Sequence, residues 1–332
     1  MTKKDLRIVF MGTPEFAVET LQALLDNQYN VVAVVTQPDK PVGRHGSILQ
    51  PSPVKKVALA NNLPVMQPEK MKDEKFLQDL SAYKADVQVV VAFRMLPEAV
   101  WAMPKYGTFN VHAALLPQYR GAAPINWAVI NGETETGVTT FFLDHDIDTG
   151  RIIMQQTMPI PDDADVEYVY DGLMRLGADI AMKTLDKLVN CNGKIDSMPQ
   201  ENFIKSDEHL HVAPKIFKDT CRINWQQPSK NIYDFVRGLS PYPGAWTELL
   251  PAEAVENSSN LQNLVLKIYK TNKTSRSANG KPGTFCVEKS QLFINTSDCQ
   301  LELLEVQLSG KKRMCMRDFL NGFKQINGYR AV

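Results

Sequence analysis

The chain has 332 residues, 44% of them hydrophobic and 22% charged, the make-up of a folded protein large enough for two domains rather than one. Its 37 Lys and Arg balance 37 Asp and Glu, which excludes binding of a polyanion through overall charge and leaves only local clusters for that purpose. Five scattered cysteines without a C-x-x-C pair argue against a zinc site or disulfide framework, and no run approaches the roughly 18 apolar residues of a membrane span. No signal peptide is read at the start, so a cytoplasmic location is expected, and the three N-x-S/T matches at Asn257, Asn272 and Asn295 carry no meaning.

Leu6 to Met11 predicts a buried parallel strand, ended by Gly12-Thr13-Pro14. Thr13 is a candidate helix cap with Pro14 at the first helical position and Glu15 in the first turn, and Phe16, Thr20, Ala23 and Leu24 then make one stripe. Val31 to Thr36 is the next strand, completing a βαβ unit. Gly12 stands alone where a dinucleotide loop needs three glycines, so a Rossmann-like layout without the usual NAD loop is expected. From Thr36 to Lys56 the chain reads as one long surface loop, broken by Pro38, Pro41, Gly43, Gly46, Pro51 and Pro53. Lys40, Arg44, Lys55 and Lys56 make it basic, either as a solvated face or, given its length inside a βαβ unit, as a functional element.

Phe76 to Tyr83 fits a helix, Asp86 to Ala92 a strand, and Ala99 to Met103 a short helix. Thr108 to Val111 reads as a short strand that places Asn110 and His112, two residues apart, on one face, and Pro117 and Gly121 then force the chain out of regular structure. An amide and an imidazole at a strand end suit chemistry on a carbonyl: the amide can donate to an oxygen that gains charge, and the imidazole can carry a proton near neutral pH. The plain alternative is a satisfied structural histidine. A helix is expected over Ala123 to Asn131 and a strand over Thr136 to Leu143. The acidic turn that follows, Asp144-His145-Asp146-Ile147-Asp148-Thr149-Gly150, is not a calcium loop, because Thr149 and Gln155 occupy its glycine and glutamate positions. A metal cluster with His112 is the weaker reading of that turn, and no metal is expected.

Tyr168 to Leu188 predicts a long amphipathic helix on Leu173, Leu176, Ile180, Leu185 and Leu188, and the polar stretch after it reads as a linker. A helix over Pro228 to Leu239 and short alternating runs at 245–250, 264–269, 284–287, 291–294 and 301–307 predict a small, OB-like β-barrel. The expected division is an α/β Rossmann-like catalytic domain with a parallel-type sheet over 1–189, a linker over 190–208, and the barrel over 209–332. Residues 261–332 carry 12 Lys and Arg against 5 Asp and Glu, a net +7 that suits a polyanion.

Asn110-x-His112, with Leu115-Leu116-Pro117 and Arg120-Gly121 behind it, resembles the signature of the folate-dependent formyltransferases. Gly12-Thr13-Pro14-Glu15-Phe16-Ala17, Arg120 to Ile125, Asp148-Thr149-Gly150 and Gly310-Lys311-Lys312-Arg313-Met314 are similar to other stretches of that family, and the likeness runs from residue 7 to about 324, weakest between 251 and 290. It implies transfer of the formyl group of 10-formyltetrahydrofolate to an amine, with Asn110, His112 and Asp148 as the catalytic residues. It also implies a folate pocket formed by Phe93, Leu96, Ala114, Leu115, Leu116 and Pro117. The acceptor implied is the methionine carried by initiator tRNA, met by Lys40 and Arg44 of the long loop and by Lys311 and Lys312. A monomer is expected. The alternatives are a small amine acceptor (glycinamide ribonucleotide or an amino sugar nucleotide) and a non-enzymatic RNA-binding protein, which would have no need of an amide, an imidazole and a carboxylate at adjacent strand ends. Three positions depart from the family pattern: Ala114 replaces a serine, Val91 to Pro97 is one residue short and lacks a glycine, and Asp146 replaces a glycine. Arg94, inside the shortened segment, has no role on sequence grounds.

Overall fold

Arg7–Gly12 (β1) is an interior strand of a seven-stranded sheet, where its Ile8 to Met11 are wholly buried. The computed structural model describes residues 1–42, 48–204, 209–251 and 263–332. After β1 come α1 (Glu15–Asp26), β2 (Asn30–Val35), β3 (Lys40–Val42), β4 (Ile48–Gln50), α2 (Pro53–Ala60), β5 (Val65–Met66), α3 (Glu74–Ala82), β6 (Val87–Val91), α4 (Glu98–Trp101), β7 (Thr108–His112), β8 (Arg120–Gly121), α5 (Pro124–Ile130), β9 (Glu135–Phe142), β10 (Ile152–Pro159), α6 (Val166–Asn190) and β11 (Val212–Ala213). Contacts divide the chain into two units. The first comprises Met1–Pro124, Glu135–Pro159 and Tyr170–Ala213, and the second Ile125–Thr134, Ile160–Val169 and Pro214–Val332.

In the first unit the sheet order is β10-β9-β7-β6-β1-β2-β5, with β7, β6, β1, β2 and β5 parallel and β9 and β10 antiparallel at one edge. The parallel strands are the apolar runs of the sequence, and β6 is buried at every position, as a strand covered on both faces must be. α6 closes on the sheet through a buried hydroxyl pair, Thr140 with Thr184 at 2.9 Å, and through Gly177, where a Cβ would come within 3.3 Å of Val111.

Two local expectations are corrected. Thr13 does not cap α1; Pro14 is the cap residue, without a side-chain bond, and Thr13 Oγ1 instead accepts the backbone N–H of Gln37 at 3.4 Å. The stretch from 36 to 56 is not one loop. β3 and β4 pair antiparallel, Lys40 opposite Gln50, and α2 begins at Pro53. Proline breaks a helix interior but costs nothing at its first position, where the missing N–H has no partner to lose, and Ser52 Oγ completes the start by accepting the Lys55 N–H at 3.1 Å. Lys55 and Lys56 therefore belong to a helix, and Lys55 pairs with Asp39 at 2.6 Å.

The second unit contains α7 (Ser229–Gly238), β12 (Ala245–Pro251), β13 (Leu264–Ser277), β14 (Phe285–Glu288), β15 (Gln291–Asn295), β16 (Cys299–Leu308), β17 (Met314–Cys315), α8 (Met316–Gly322) and β18 (Tyr329–Ala331). Its antiparallel sheet runs β14-β15-β16-β13-β12-β18 and curls until its two edges meet at a bridge between Thr284 and Arg330. Ile232, Tyr233 and Val236 of α7 and Phe319 of α8 share one core with Leu266, Ile268, Ile294, Leu301 and Leu303 of the strands. β13 is 14 residues long, far beyond the short run visible in sequence, because register shifts against β16 let it bend with the sheet.

Candidate active site

β7 sits between the parallel β6 and the antiparallel β9, with Asn110 opposite Phe141 and His112 opposite Thr139. The period of two puts both side chains on one face at the strand end, as expected. His112 is 6% exposed. Its Nε2 is 3.0 Å from the carbonyl oxygen of Tyr119, and since that oxygen only accepts, Nε2 carries the proton. The ring's other nitrogen, Nδ1, is thereby left as the site of proton gain and loss, and it faces Oδ2 of Asp148 at 3.8 Å. Phe141 lies edge-on to the imidazole. The carboxamide oxygen of Asn110 is buried and has no partner among the described residues, so the group is available to a ligand.

Asp148 reaches the histidine from the acidic turn because its backbone is left-handed, with φ of 56°. Its Oδ2 accepts the Gly121 N–H at 3.0 Å. Tyr119, with φ of 60°, belongs to the same small region, so two non-glycine residues there hold conformations that cost about 1–3 kcal/mol each, while Gly121 takes its φ of 128° without that cost. Gly121 is obligatory for a second reason: β8 pairs with β11 so closely that a Cβ there would lie 2.5 Å from the Ala213 carbonyl. A Cβ on Gly150 would lie 1.7 Å from the Phe142 carbonyl, so the Asp-Thr-Gly turn closes only on glycine. Asp144 and Asp146 are exposed, and Asp144 Oδ1 accepts the Thr149 hydroxyl at 2.7 Å. Among the described residues no group of three or more His, Cys, Asp or Glu is placed to hold a metal ion.

Of the residues expected around folate, Phe93 and Leu115 are half-buried, Leu96 is buried, and Ala114 and Leu116 have 0% and 1% of their surface exposed. The loop from Ala114 to Pro117 is organised by two side chains that sequence reasoning missed. Thr139 Oγ1 donates to the Ala114 carbonyl at 2.7 Å and accepts the Leu116 N–H at 3.1 Å, while Gln155 Nε2 donates to the Leu116 carbonyl at 2.7 Å. The loop is thus tied down without a hydroxyl at position 114. Arg94 also acquires a place: its guanidinium donates to the carbonyls of Glu69, at 2.8 Å, and Pro68, and burial pushes its pKa down. It anchors the shortened segment after β6, where Ala92 takes a φ of 46°, to the chain after β5.

Lys40 is exposed on β3, and Arg44 lies outside the described residues. Lys311 and Lys312 are exposed after β16, in a turn where Gly310 has a φ of 75°. Three other cations of the basic tail are in ion pairs: Lys273 with Asp162 at 2.6 Å, Arg276 with Glu288, and Arg313 with Glu305.

Comparison with known proteins adds the relationships. Residues 6–185 match the formyl transferase family, and residues 215–324 match the C-terminal domain of formyl transferases. The chain is 60% identical over 330 residues to methionyl-tRNA formyltransferase of Parabacteroides distasonis, covering 99% of each. It is 56% identical over 325 residues to methionyl-tRNA formyltransferase of Phocaeicola vulgatus, covering 98% of each. Two solved structures share the fold. HypX from Aquifex aeolicus, in complex with tetrahydrofolic acid, aligns with a TM-score of 0.61 at 17% identity over 96% of this chain, which spans 47% of that one. The sugar 3N-formyl transferase WlaRD, with dTDP and 5-N-formyl-THF, aligns with a TM-score of 0.61 at 20% identity, covering 92% of this chain and 99% of the other.

Proposed function

The chain belongs to the formyl transferase family, and from that premise we propose that it transfers the formyl group of 10-formyltetrahydrofolate to the α-amino group of methionine on initiator tRNA. The observation that carries the reading is the approach of His112 to Asp148 at the end of β7, beside the Asn110 carboxamide, whose buried oxygen has no partner among the described residues. A buried imidazole with one nitrogen committed to a carbonyl and the other turned to a carboxylate is built to handle a single proton.

Folate supplies the activated formyl group, and this chain supplies the rest. The carboxamide NH2 of Asn110 is the donor for the oxygen that gains charge when the neutral amine adds to the formyl carbon, such a donor being worth roughly 3 kcal/mol. The amine must also lose a proton. His112 Nδ1 is the atom through which the ring takes that proton, beside the Asp148 carboxylate, and returns it to N10 of the folate as the bond from the formyl carbon to N10 breaks. We assign Phe93 and Leu115 as direct folate contacts, and Leu96, Ala114, Leu116 and Pro117 as the residues that shape the pocket behind them. Lys40, Arg44, Lys311 and Lys312 are assigned to the tRNA, whose backbone phosphates suit lysine and arginine. Action as a monomer is part of this proposal. Among the described residues no helix is long and apolar enough to cross a membrane, in keeping with a cytoplasmic role in translation initiation.

The test is incubation with initiator Met-tRNA and 10-formyltetrahydrofolate, reading N-formylation of the methionine, with each substrate omitted in turn. Glycinamide ribonucleotide and an amino sugar nucleotide are offered in parallel as acceptors. Formylation of either of these with none of Met-tRNA overturns the proposal.

A further inference from the structure

Gln200 stands in the polar stretch after α6, yet it is 1% exposed. Its carboxamide makes four hydrogen bonds. Nε2 donates to the backbone carbonyls of Asp148 and Gly150, each at 2.8 Å. Oε1 accepts from Arg120, at 3.0 Å from Nε and 2.6 Å from Nη2. Only a carboxamide satisfies this set. Glutamate has no hydrogen for the two carbonyls, and lysine or arginine has no acceptor for the guanidinium.

The four bonds close a circuit. Arg120 precedes Gly121, whose N–H holds the Asp148 carboxylate at 3.0 Å. The strained turn is thus gripped twice, at the Asp148 side chain through Gly121 and at its main chain through Gln200. Gln200 is itself fixed in place. Met198 and Ile152 exchange backbone bonds of 2.8 Å in both directions, Arg151 Nε donates to Ser197 Oγ at 3.1 Å, and Phe203 packs against Leu116, Phe141 and Ile152.

We propose that Gln200 is a positioning residue for formyl transfer, holding the Asp148–Gly150 turn so that the carboxylate stays opposite Nδ1 of His112. The inference rests on the reading of Asp148 given above. Gln200 touches neither substrate in this scheme; it acts only through Asp148.

The test compares Gln200→Met, Gln200→Glu, Asp148→Asn and the double variant Gln200→Met/Asp148→Asn, assayed for Met-tRNA formylation well below their melting temperatures. Met removes all four bonds at similar length, while Glu keeps the acceptor for Arg120 and loses both donors, so Glu remains informative should Met fail to fold. Each Gln200 variant is expected to lose about 10- to 100-fold in kcat, with KM for both substrates within about threefold of the parent. The double variant should be no slower than Asp148→Asn alone, a non-additivity that a merely structural role would not produce. A kcat within threefold of the parent in both Gln200 variants, or losses that multiply in the double variant, overturns the proposal. A parental kcat in Asp148→Asn instead overturns the reading of the site beneath it.

Discussion

Nδ1 of His112 faces Oδ2 of Asp148 across 3.8 Å, about one ångström more than a hydrogen bond, while the ring's Nε2 is already committed to Tyr119. The carboxylate therefore faces the ring without holding an Nδ1 proton in a hydrogen bond. Such a gap suits a group that must take up a proton and give it back within one turnover.

Replacing Asp148 by Asn tests that relationship with little disturbance. Asn tolerates the left-handed backbone and still offers an oxygen to Gly121, but it has no charge to set against Nδ1. We expect kcat to fall by about 10²- to 10⁴-fold with the melting temperature close to the parent's. Steady-state kinetics and a thermal scan decide it; a large drop in melting temperature would indicate that the residue serves the turn rather than the chemistry.

Gly150→Ala should damage the same region through packing alone. The new methyl would lie 1.7 Å from a backbone carbonyl that cannot retreat. A loss of about 3 kcal/mol or more is expected from urea unfolding, together with loss of activity. Gly322→Ala serves as the control, because no atom lies within 4 Å of its Cβ position and it ends α8; there, stability should hold or rise by about 0.5 kcal/mol.

Arg94→Ala should release the segment after β6 from Pro68 and Glu69. We expect a cost of about 1–3 kcal/mol and a several-fold rise in KM for folate, with KM for Met-tRNA within about twofold. Lysine should not rescue it, because a single ammonium cannot reproduce the planar fork that serves two carbonyls. A folate KM equal to the parent's would detach this segment from the pocket.

The Asp39–Lys55 pair predicts a defined pH effect. The Lys55 ammonium, with help from Gln67, holds the Asp39 carboxyl below its ordinary value of 3.8. The folded form therefore releases this proton more readily than the unfolded one. The stabilisation is fully present above about pH 4 and disappears as pH falls through the lowered value. The stability gap between the parent and Asp39→Asn should be constant from about pH 7 to pH 5 and close only below about pH 4. A gap that begins to close near neutrality would contradict the assignment.

Alanine at both Lys311 and Lys312 should raise KM for Met-tRNA and leave kcat at saturation unchanged. The slope of log KM against log salt should fall by about one for each lysine that meets a phosphate. An unchanged slope would remove this turn from the tRNA surface.

The sheet of the first unit was legible because its strands are unbroken apolar runs, and Asn110 and His112 because a strand shows its period within three residues. Asp148 was visible only as part of a turn motif; nothing local reveals that its backbone turns left-handed toward His112. Pro53 misled because proline signals both the end of regular structure and the first residue of a helix, and only the Ser52 cap distinguishes the two. Gln200, Thr139 and Gln155 were illegible for one shared reason. Each acts by hydrogen-bonding backbone groups distant in sequence, and neither composition nor spacing records such a partnership. Arg94 belongs with them: its partners are the carbonyls of Pro68 and Glu69.

The stretch from Ser197 to Ala213 is paired at two places, once beside Ile152 at the edge of the large sheet and again where Val212 and Ala213 line up with Arg120 and Gly121 in a separate two-stranded sheet. The length of chain between those two stations is consequently fixed at both ends. A protease cut just after α6, at Cys191 or Asn192, that released everything downstream would spare Asn110, His112 and Asp148 and still disarm them, because the brace around the last of the three would leave with the discarded fragment.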